Sequence, residues 1–439
     1  MEKRVLKQIL LEQREEINRI FQERIIKREI ISKTGELFTG NLIKVITGVR
    51  RCGKSVLVHL LLKNKNYGYI NLDDERLIGT KPGDLNALFE TVKEINPALK
   101  YIFLDEAQNA AGWELFVNRL KRLGYNIFIT GSNSRLLSRE LATHLTGRHI
   151  AAELFPFSFR EFVEYKNKKY KTEDAFIAEK RGEIKNLFAE YVKFGGFPEV
   201  IKLKNGRAKE KYLRDLYGQI IVKDVLSRFS IKYVKVLKEM AFYLLSNFSS
   251  RMSYNRMKNI FDIRSVHTVK NYVSYLEESC IFNQLNVFSF KVKNQMMQPK
   301  KIYVVDTGFI NAVASQFSPN YGKIMENIVL TELLRNKDSE EIFFYSDSQG
   351  KEVDFVIKKG TKVEKLIQGC FDIEDVNTRN REIRSTIMAS QKLKCGNILV
   401  LTDDYENEEI VKWQNIERKF KFLPLWKWLL FGPSGGSVK

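Results

Sequence analysis

Gly48-Val49-Arg50-Arg51-Cys52-Gly53-Lys54-Ser55 has the form G-x-x-x-x-G-K-[ST], and its surroundings decide how it is read. The apolar run Leu42-Ile43-Lys44-Val45-Ile46-Thr47 precedes it and reads as a buried strand. Val56-Leu57-Val58-His59-Leu60-Leu61-Leu62 follows and reads as the opening of a helix. A glycine-rich turn between strand and helix offers an anion its backbone N–H groups and the positive end of the helix dipole. In that context the loop is expected to cradle the phosphates of a nucleotide. Lys54 is placed to reach the β- and γ-phosphates and Ser55 to ligate Mg²⁺. Gly48, Val49, Arg50, Arg51, Cys52, Gly53 and Val56 complete the candidate cradle. Because Cys52 lies inside it, alkylation of that thiol is expected to impair binding unless nucleotide shields it.

A second motif stands one crossover away. Tyr101-Ile102-Phe103-Leu104 is apolar and ends in Asp105-Glu106. This is the Walker B pattern: a buried parallel strand with carboxylates at the C-terminal edge, where ligands of open α/β sheets sit. Asp105 is the candidate second Mg²⁺ ligand and Glu106 the group that polarises the attacking water. Strands are expected at 43–47, 67–71, 101–104 and 126–130, with another at 149–154, alternating with helices in a parallel sheet covered on both faces. The strand at 126–130 falls between the two motif strands. Ser132 and Asn133, just after it, are candidates to hold the lytic water or sense the γ-phosphate; the same residues also suit an ordinary turn and helix N-cap. Arg148, just before the last strand, could stabilise transition-state charge in its own site or a neighbour's. Asp73 and Asp74, closing the strand at 67–71, either support the site from behind its direct ligands or serve as solvated caps; caps are preferred.

Among 439 residues, 73 Lys and Arg oppose 53 Asp and Glu, a net charge of +20. Such a surplus suits a nucleic acid or another polyanion, although a genome bias toward Lys, Ile and Phe produces the same numbers. The length suggests two or three domains. Four cysteines, Cys52, Cys280, Cys370 and Cys395, are too widely spaced for a disulfide framework or a zinc site. No apolar run reaches membrane-spanning length, and the charged N-terminus does not suit a secretory signal. A cytoplasmic protein is expected.

Outside the core, residues 1–35 form a charged helical segment whose Leu6, Ile9, Leu10, Ile17, Ile20 and Phe21 can share one face. That helix either docks on the core or serves as an exposed nucleic-acid arm; docking is preferred. The core occupies 36–160. Residues 161–232 are helical and basic, broken by Phe194-Gly195-Gly196-Phe197-Pro198, and read as a helical lid. Residues 233–320 suggest a winged helix. Its third helix turns Val266, Val269, Tyr272, Val273 and Leu276 inward and His267, Lys270, Asn271 and Ser274 outward, toward a DNA major groove or, alternatively, toward a protein. Runs at 281–290 and 300–305 alternate as a β-hairpin wing. Residues 321–430 give helix, strand, strand, strand, the order of restriction-endonuclease-like cores. Glu326 and Asp354 hold two of the metal-binding places there, but Gln368-Gly369-Cys370 stands where Glu-x-Lys belongs. Two ligands of three rarely make a tight Mg²⁺ site, so a nuclease fold without nuclease activity is expected. Residues 431–439 read as a disordered tail.

Taken in order, Gly-Val-Arg-Arg-Cys-Gly-Lys-Ser, Leu-Asp-Glu-Ala-Gln, Thr-Gly-Ser-Asn-Ser-Arg-Leu-Leu, Thr-Gly-Arg, Leu-Phe-Pro-Phe-Ser-Phe and Lys351-Glu352-Val353-Asp354-Phe355 resemble the prokaryotic AAA-type ATPases that carry a C-terminal domain of unknown function. The resemblance implies an α/β protein: a P-loop AAA-type core, a helical lid, a winged helix and a restriction-endonuclease-like C-terminal domain. It implies ATP and Mg²⁺ as cofactors, and ATP over GTP because no guanine-reading N-K-x-D is apparent. Two functions follow as expectations. One is an ATP-hydrolysing switch that contacts double-stranded DNA through its winged helix. The other is a nucleotide-gated protein-interaction module of a defence or toxin–antitoxin-like system. The oligomeric state is left open.

Overall fold

Five short apolar runs in the first third of the chain become five parallel strands. In the computed structural model, which describes residues 2–132, 147–315 and 320–432, they are β1 (Ile43–Thr47), β2 (Tyr67–Asn71), β3 (Tyr101–Asp105), β4 (Asn126–Gly131) and β5 (His149–Glu153). Their order across the sheet is β2-β3-β4-β1-β5, and every pairing is parallel. Parallel strands need covered faces, and helices supply the cover: α1 (Lys3–Gln22), α2 (Glu29–Thr39), α3 (Lys54–Leu62), α4 (Pro82–Ile95) and α5 (Trp113–Arg122). Ile43, Val45, Ile102, Leu104, Ile127 and Ile129 meet Leu85, Leu88, Trp113 and Leu120 in one core.

That core includes Leu6, Ile9 and Leu10 of α1, so the leading helix docks rather than projecting as an arm. Each such side chain removed from water contributes about 1.5–3 kcal/mol. Burial also holds Gln13 in place: it donates to Asn71 O at 3.1 Å and Asp74 Oδ2 at 2.9 Å and accepts from Asn71 N at 3.0 Å.

The chain divides into two compact units: residues up to Phe157 with Glu278–Cys280, and Ser158–Glu277 with Ile281 onward. The second unit carries two sheets. The smaller has the order β6-β8-β7 (Ser250–Met252, Lys300–Val304, Phe282–Leu285), antiparallel throughout. It accompanies helices Val234–Ser246, Tyr254–Ile260 and Val266–Glu278. The hairpin expected over 281–290 and 300–305 is shorter than its alternating pattern implies. After Leu285 the chain leaves the sheet, Phe288 N donating to Phe344 O at 2.6 Å, and a short helix, Val292–Met297, fills the connection. The larger sheet has the order β13-β14-β12-β11-β10-β9, formed by Asn407–Trp413, Ile416–Pro424, Ile398–Thr402, Lys362–Gly369, Glu352–Lys359 and Glu340–Ser346. Helix Tyr321–Asn336 precedes it and Val376–Lys392 crosses it.

The glycine–proline break behaves as a joint. Asp306 Oδ2 accepts from Gly196 N at 2.8 Å and Oδ1 from Gly308 N at 2.8 Å. A Cβ on Gly195, where φ is +74°, would fall 1.7 Å from Asp306 Oδ1, so only glycine lets the turn close on that carboxylate. Burial, opposed by the two N–H bonds, pushes the Asp306 carboxyl up to about 6 from an ordinary 3.8. The folded state therefore holds a proton that the unfolded chain has released between those values. From this group alone, stability falls as pH rises through that window and levels above it. The stability gap between the wild type and Asp306→Asn is expected to narrow as pH rises from about 4 to about 6, read as the difference in thermal midpoint; a constant gap would contradict it.

Candidate functional site

The loop after β1 is shaped by close approach. Gly48 has φ +143°, and a Cβ there would sit 2.1 Å from Leu154 O, the carbonyl just beyond β5. Gly53, with φ +100°, caps α3 in the left-handed region, and Arg51 also has positive φ, 67°. Turns of this kind aim successive N–H groups inward. Lys54 opens α3 at its N-terminus. Its Nζ donates to Gly48 O at 3.1 Å and Val49 O at 3.3 Å and lies 3.4 Å from Glu106 Oε1. Burial works against its charge, but Glu106 and then the other negative groups around it, Asp105 among them, together hold the ammonium above its usual range.

β3 delivers the two carboxylates to the same edge. Asp105 Oδ2 accepts from Tyr69 OH at 3.1 Å, and Oδ1 accepts from the Thr130 hydroxyl. Ser55 also hydrogen-bonds this carboxylate. Burial, then the neighbouring Glu106 charge, push Asp105 up. Glu106 stands at φ +50°, an uncommon conformation for a residue with a Cβ. Its N–H donates to Thr130 Oγ1 at 3.1 Å, while its Oε2 accepts from Ser132 N at 3.2 Å and Ser132 Oγ at 3.1 Å. Thr130, between the two motif strands, thus positions both acids at once. Of the two polar candidates after β4, Ser132 grips Glu106, and Asn133 lies outside the described residues.

Other candidates fall differently. Arg50 Nη1 pairs with Asp73 Oδ2 at 3.1 Å, so Asp73 braces the loop. Asp74 is a cap as expected, accepting from Arg76 N at 3.1 Å, and the hydrogen-bonded Arg76 side chain holds it down at about 2. Cys52 is fully buried, and burial pushes its thiol up. A buried protonated thiol reacts poorly, so Cys52 resists the expected alkylation. Arg148 is exposed, with its carbonyl accepting from Ile43 N at 2.9 Å. Ile43 pairs with His149 at the start of parallel strands, so Arg148 stands at the opposite edge from the loop, about 16 Å of strand away. It does not join the site of its own chain.

Sequence reading missed Arg28, in the link between α1 and α2. This buried guanidinium donates from Nη1 to Cys52 O at 3.0 Å and from Nη2 to Phe155 O at 2.7 Å, and it lies 4.8 Å from the Phe157 ring centre. It ties the loop to the end of the core.

The C-terminal acidic cluster is built around an ammonium. Lys301 Nζ of β8, 5% exposed, lies 2.9 Å from Glu326 Oε1, 3.1 Å from Glu352 Oε2 and 3.5 Å from Asp354 Oδ1. Burial opposes the charge, but the three carboxylates outweigh it and raise Lys301. Tyr303 OH donates to Glu326 Oε1 at 2.6 Å, and Gln368 Nε2 to Asp354 Oδ2 at 3.0 Å. Burial, then the Asp354 charge, push Glu326 up to about 7. A lysine thus already spans the carboxylates that a divalent ion would need. No group of three or more His, Cys, Asp or Glu among the described residues is arranged to hold a metal. Cys370 is buried. On Val266–Glu278, Val269, Tyr272, Val273 and Leu276 are buried, His267 and Lys270 exposed, and Asn271 and Ser274 half-buried. Asn271 Nδ2 is 3.3 Å from His267 Nδ1, and Lys270 Nζ lies 5.6 Å from the Tyr254 ring centre.

A P-loop between β1 and α3, with the acidic β3 separated from β1 by one strand in the same parallel sheet, defines an AAA-type ATPase fold, and residues 40–163 match the family model described as an AAA domain. Residues 185–320 and 321–415 match two models described as domains of unknown function. An uncharacterized protein of Methanocaldococcus jannaschii is 36% identical over 416 residues, covering 92% of each chain. One of Haemophilus influenzae is 30% identical over 387 residues, covering 84% of this chain and 91% of that one. The chain belongs to the family of these proteins. The Walker-type ATPase of Pyrococcus abyssi is similar at 16% identity with a TM-score of 0.44, over 66% of this chain and 96% of that one. Among the described residues no helix is long and apolar enough to cross a membrane.

Replacing Arg28 leaves two buried carbonyls without their donor, a cost of about 1–3 kcal/mol. Arg28→Met is expected to lower the thermal midpoint and weaken nucleotide binding roughly tenfold, measured by titrating a fluorescent ATP analogue. Undiminished affinity would show that the loop needs no brace.

Proposed function

We propose that this chain is a Mg²⁺-dependent ATPase whose nucleotide state governs contact with double-stranded DNA. The reading is carried by Lys54, Ser55, Asp105 and Glu106 meeting at one edge of the parallel sheet. The Ser55 hydroxyl and Asp105 carboxylate suit Mg²⁺, which when bound neutralises charge between β- and γ-phosphate oxygens. A triphosphate in the loop offers Lys54 oxygens in place of the Gly48 and Val49 carbonyls. That exchange also loosens Lys54 from Glu106, leaving the carboxylate to accept a proton from water while Ser132 keeps it aimed. A role for Arg148 on phosphate falls to another copy's site.

For DNA, the support is the +20 net charge and the outward His267 and Lys270, with Asn271 and Ser274 beside them, on a helix we read as the recognition element of a winged helix. A second reading, a nucleotide-gated protein-interaction module, is favoured by a different observation. Phe290, Val292, Met296 and Met297 are 75, 66, 75 and 73% exposed within eight residues, an apolar patch of the kind that marks partner surfaces. In either reading the restriction-endonuclease-like portion does not cut, because Lys301 stands among its carboxylates.

Steady-state ATP hydrolysis with and without duplex DNA tests the proposal. Glu106→Gln is expected to lose about a hundredfold or more in turnover while still binding ATP, and DNA is expected to stimulate the wild type alone. Binding and turnover untouched by Lys54→Ala would sink the ATPase reading, and indifference to DNA would favour the protein-partner reading. Lys301→Met should leave Glu326 and Asp354 without their cation, Glu352 keeping Arg251, lower the thermal midpoint and create Mn²⁺ binding that restores it. Mn²⁺ binding by the wild type that disappears in Asp354→Ala would contradict the closed cluster.

A further inference from the structure

The second unit contains a cleft of about 720 Å³ walled by lysines. Lys166, Lys202, Lys204 and Lys209 line it, with Glu190 the one carboxylate in the wall. Lys209 is the least expected of them, because it is only 4% exposed and a buried ammonium needs compensation. Its Nζ donates to Glu190 Oε1 at 2.6 Å and lies 4.7 Å from the Phe194 ring centre. Lys166 Nζ donates to that same oxygen at 2.9 Å. Two ammonium groups therefore share one carboxylate oxygen. Lys202 pairs with Glu199 at 2.8 Å, while Lys204 is exposed. Four ammonium groups thus face two carboxylates, a surplus of two positive charges.

The backbone adds to that surplus. Gly206 lines the cleft and begins a 15-residue helix, Gly206–Ile220, whose preceding Asn205 accepts from Arg207 N at 2.8 Å. The positive end of the helix dipole therefore borders the lysines. Anchoring Glu190 accounts for one ammonium, since a single lysine would satisfy the carboxylate. It does not account for the second, nor for Lys204 on the same wall. An anion carrying two negative charges would complete the balance, and phosphate oxygens are the acceptors that several lysine point charges suit.

We propose that this cleft binds a small phosphate-bearing anion of the pyrophosphate class, at a site distinct from the phosphate loop. Lys209 forms its buried floor, Lys166 its side and the exposed Lys204 its outer arm. Phe194, against Lys209, and Tyr165 supply aromatic parts of the wall.

The full chain carrying Lys54→Ala, which silences the phosphate loop, is titrated calorimetrically with pyrophosphate and with inorganic phosphate. Saturable pyrophosphate binding is expected, weaker binding of phosphate, and a loss of about tenfold or more on adding Lys204→Glu. Lys166→Met, which keeps the apolar stem, should weaken binding similarly. The proposal is overturned if Lys54→Ala binds neither anion, or if both added substitutions leave affinity unchanged. It is also overturned if a short DNA duplex binds in a Lys204-dependent way while pyrophosphate does not, which would make these lysines part of a nucleic-acid surface.

Discussion

The first unit depends on the missing side chain at position 48. β1 hands the chain to the loop so close to the carbonyl of Leu154 that no Cβ could stand between them. From that contact follow the path to Gly53, the start of α3 at Lys54, and the position of Ser55 beside Asp105. Arg28 grips the opposite side of the loop through Cys52 O. The loop is thus held between a linker at the start of the chain and the strand that ends the core, so the nucleotide site depends on segments well over a hundred residues apart.

Both units gather carboxylates that would be costly to bury alone, and both answer with a lysine. The consequences differ because the geometry differs. Lys54 lies at the mouth of a loop and shares itself between two carbonyls and one acid, all partners that phosphate oxygens can replace. Lys301 lies inside, between three acids from one strand and a helix, and nothing small replaces it without leaving uncompensated charge. One lysine is poised for exchange and the other is part of the core.

The strand pattern of the first unit was legible because short apolar runs between polar turns leave few alternatives in a sheet covered on both faces. The bounds of β1 and β2 were read to the residue, and β3, β4 and β5 to within one. The two motif stretches were legible because chemistry at strand ends is local. Arg28 was not, since a single arginine in a linker has no periodicity to mark it. Lys301 was hidden for another reason: it lies 25 residues from Glu326 and far from Asp354 in sequence, and only the approach of β8 to the larger sheet brings them together. The position of Arg148 was legible in principle. A residue that precedes a strand parallel to β1 must stand at the far edge from the loop. The excursion at Phe288 was not, because alternation predicts a strand without naming its partner.

That excursion has a mechanical meaning. Phe344 N donates to Asn286 O at 3.1 Å and Phe288 N to Phe344 O at 2.6 Å, while Ser249 Oγ donates to Lys323 O at 3.0 Å and Lys323 Nζ to Ser250 Oγ at 2.9 Å. The small sheet is therefore stitched to the large one on two sides of the same helix-and-strand segment, partly through backbone. The apolar segment at 290–297 therefore leaves the small sheet at a point tied by backbone to β9, which pairs with the strand carrying Asp354, so the exposed patch and the acidic cluster share one hydrogen-bonded frame.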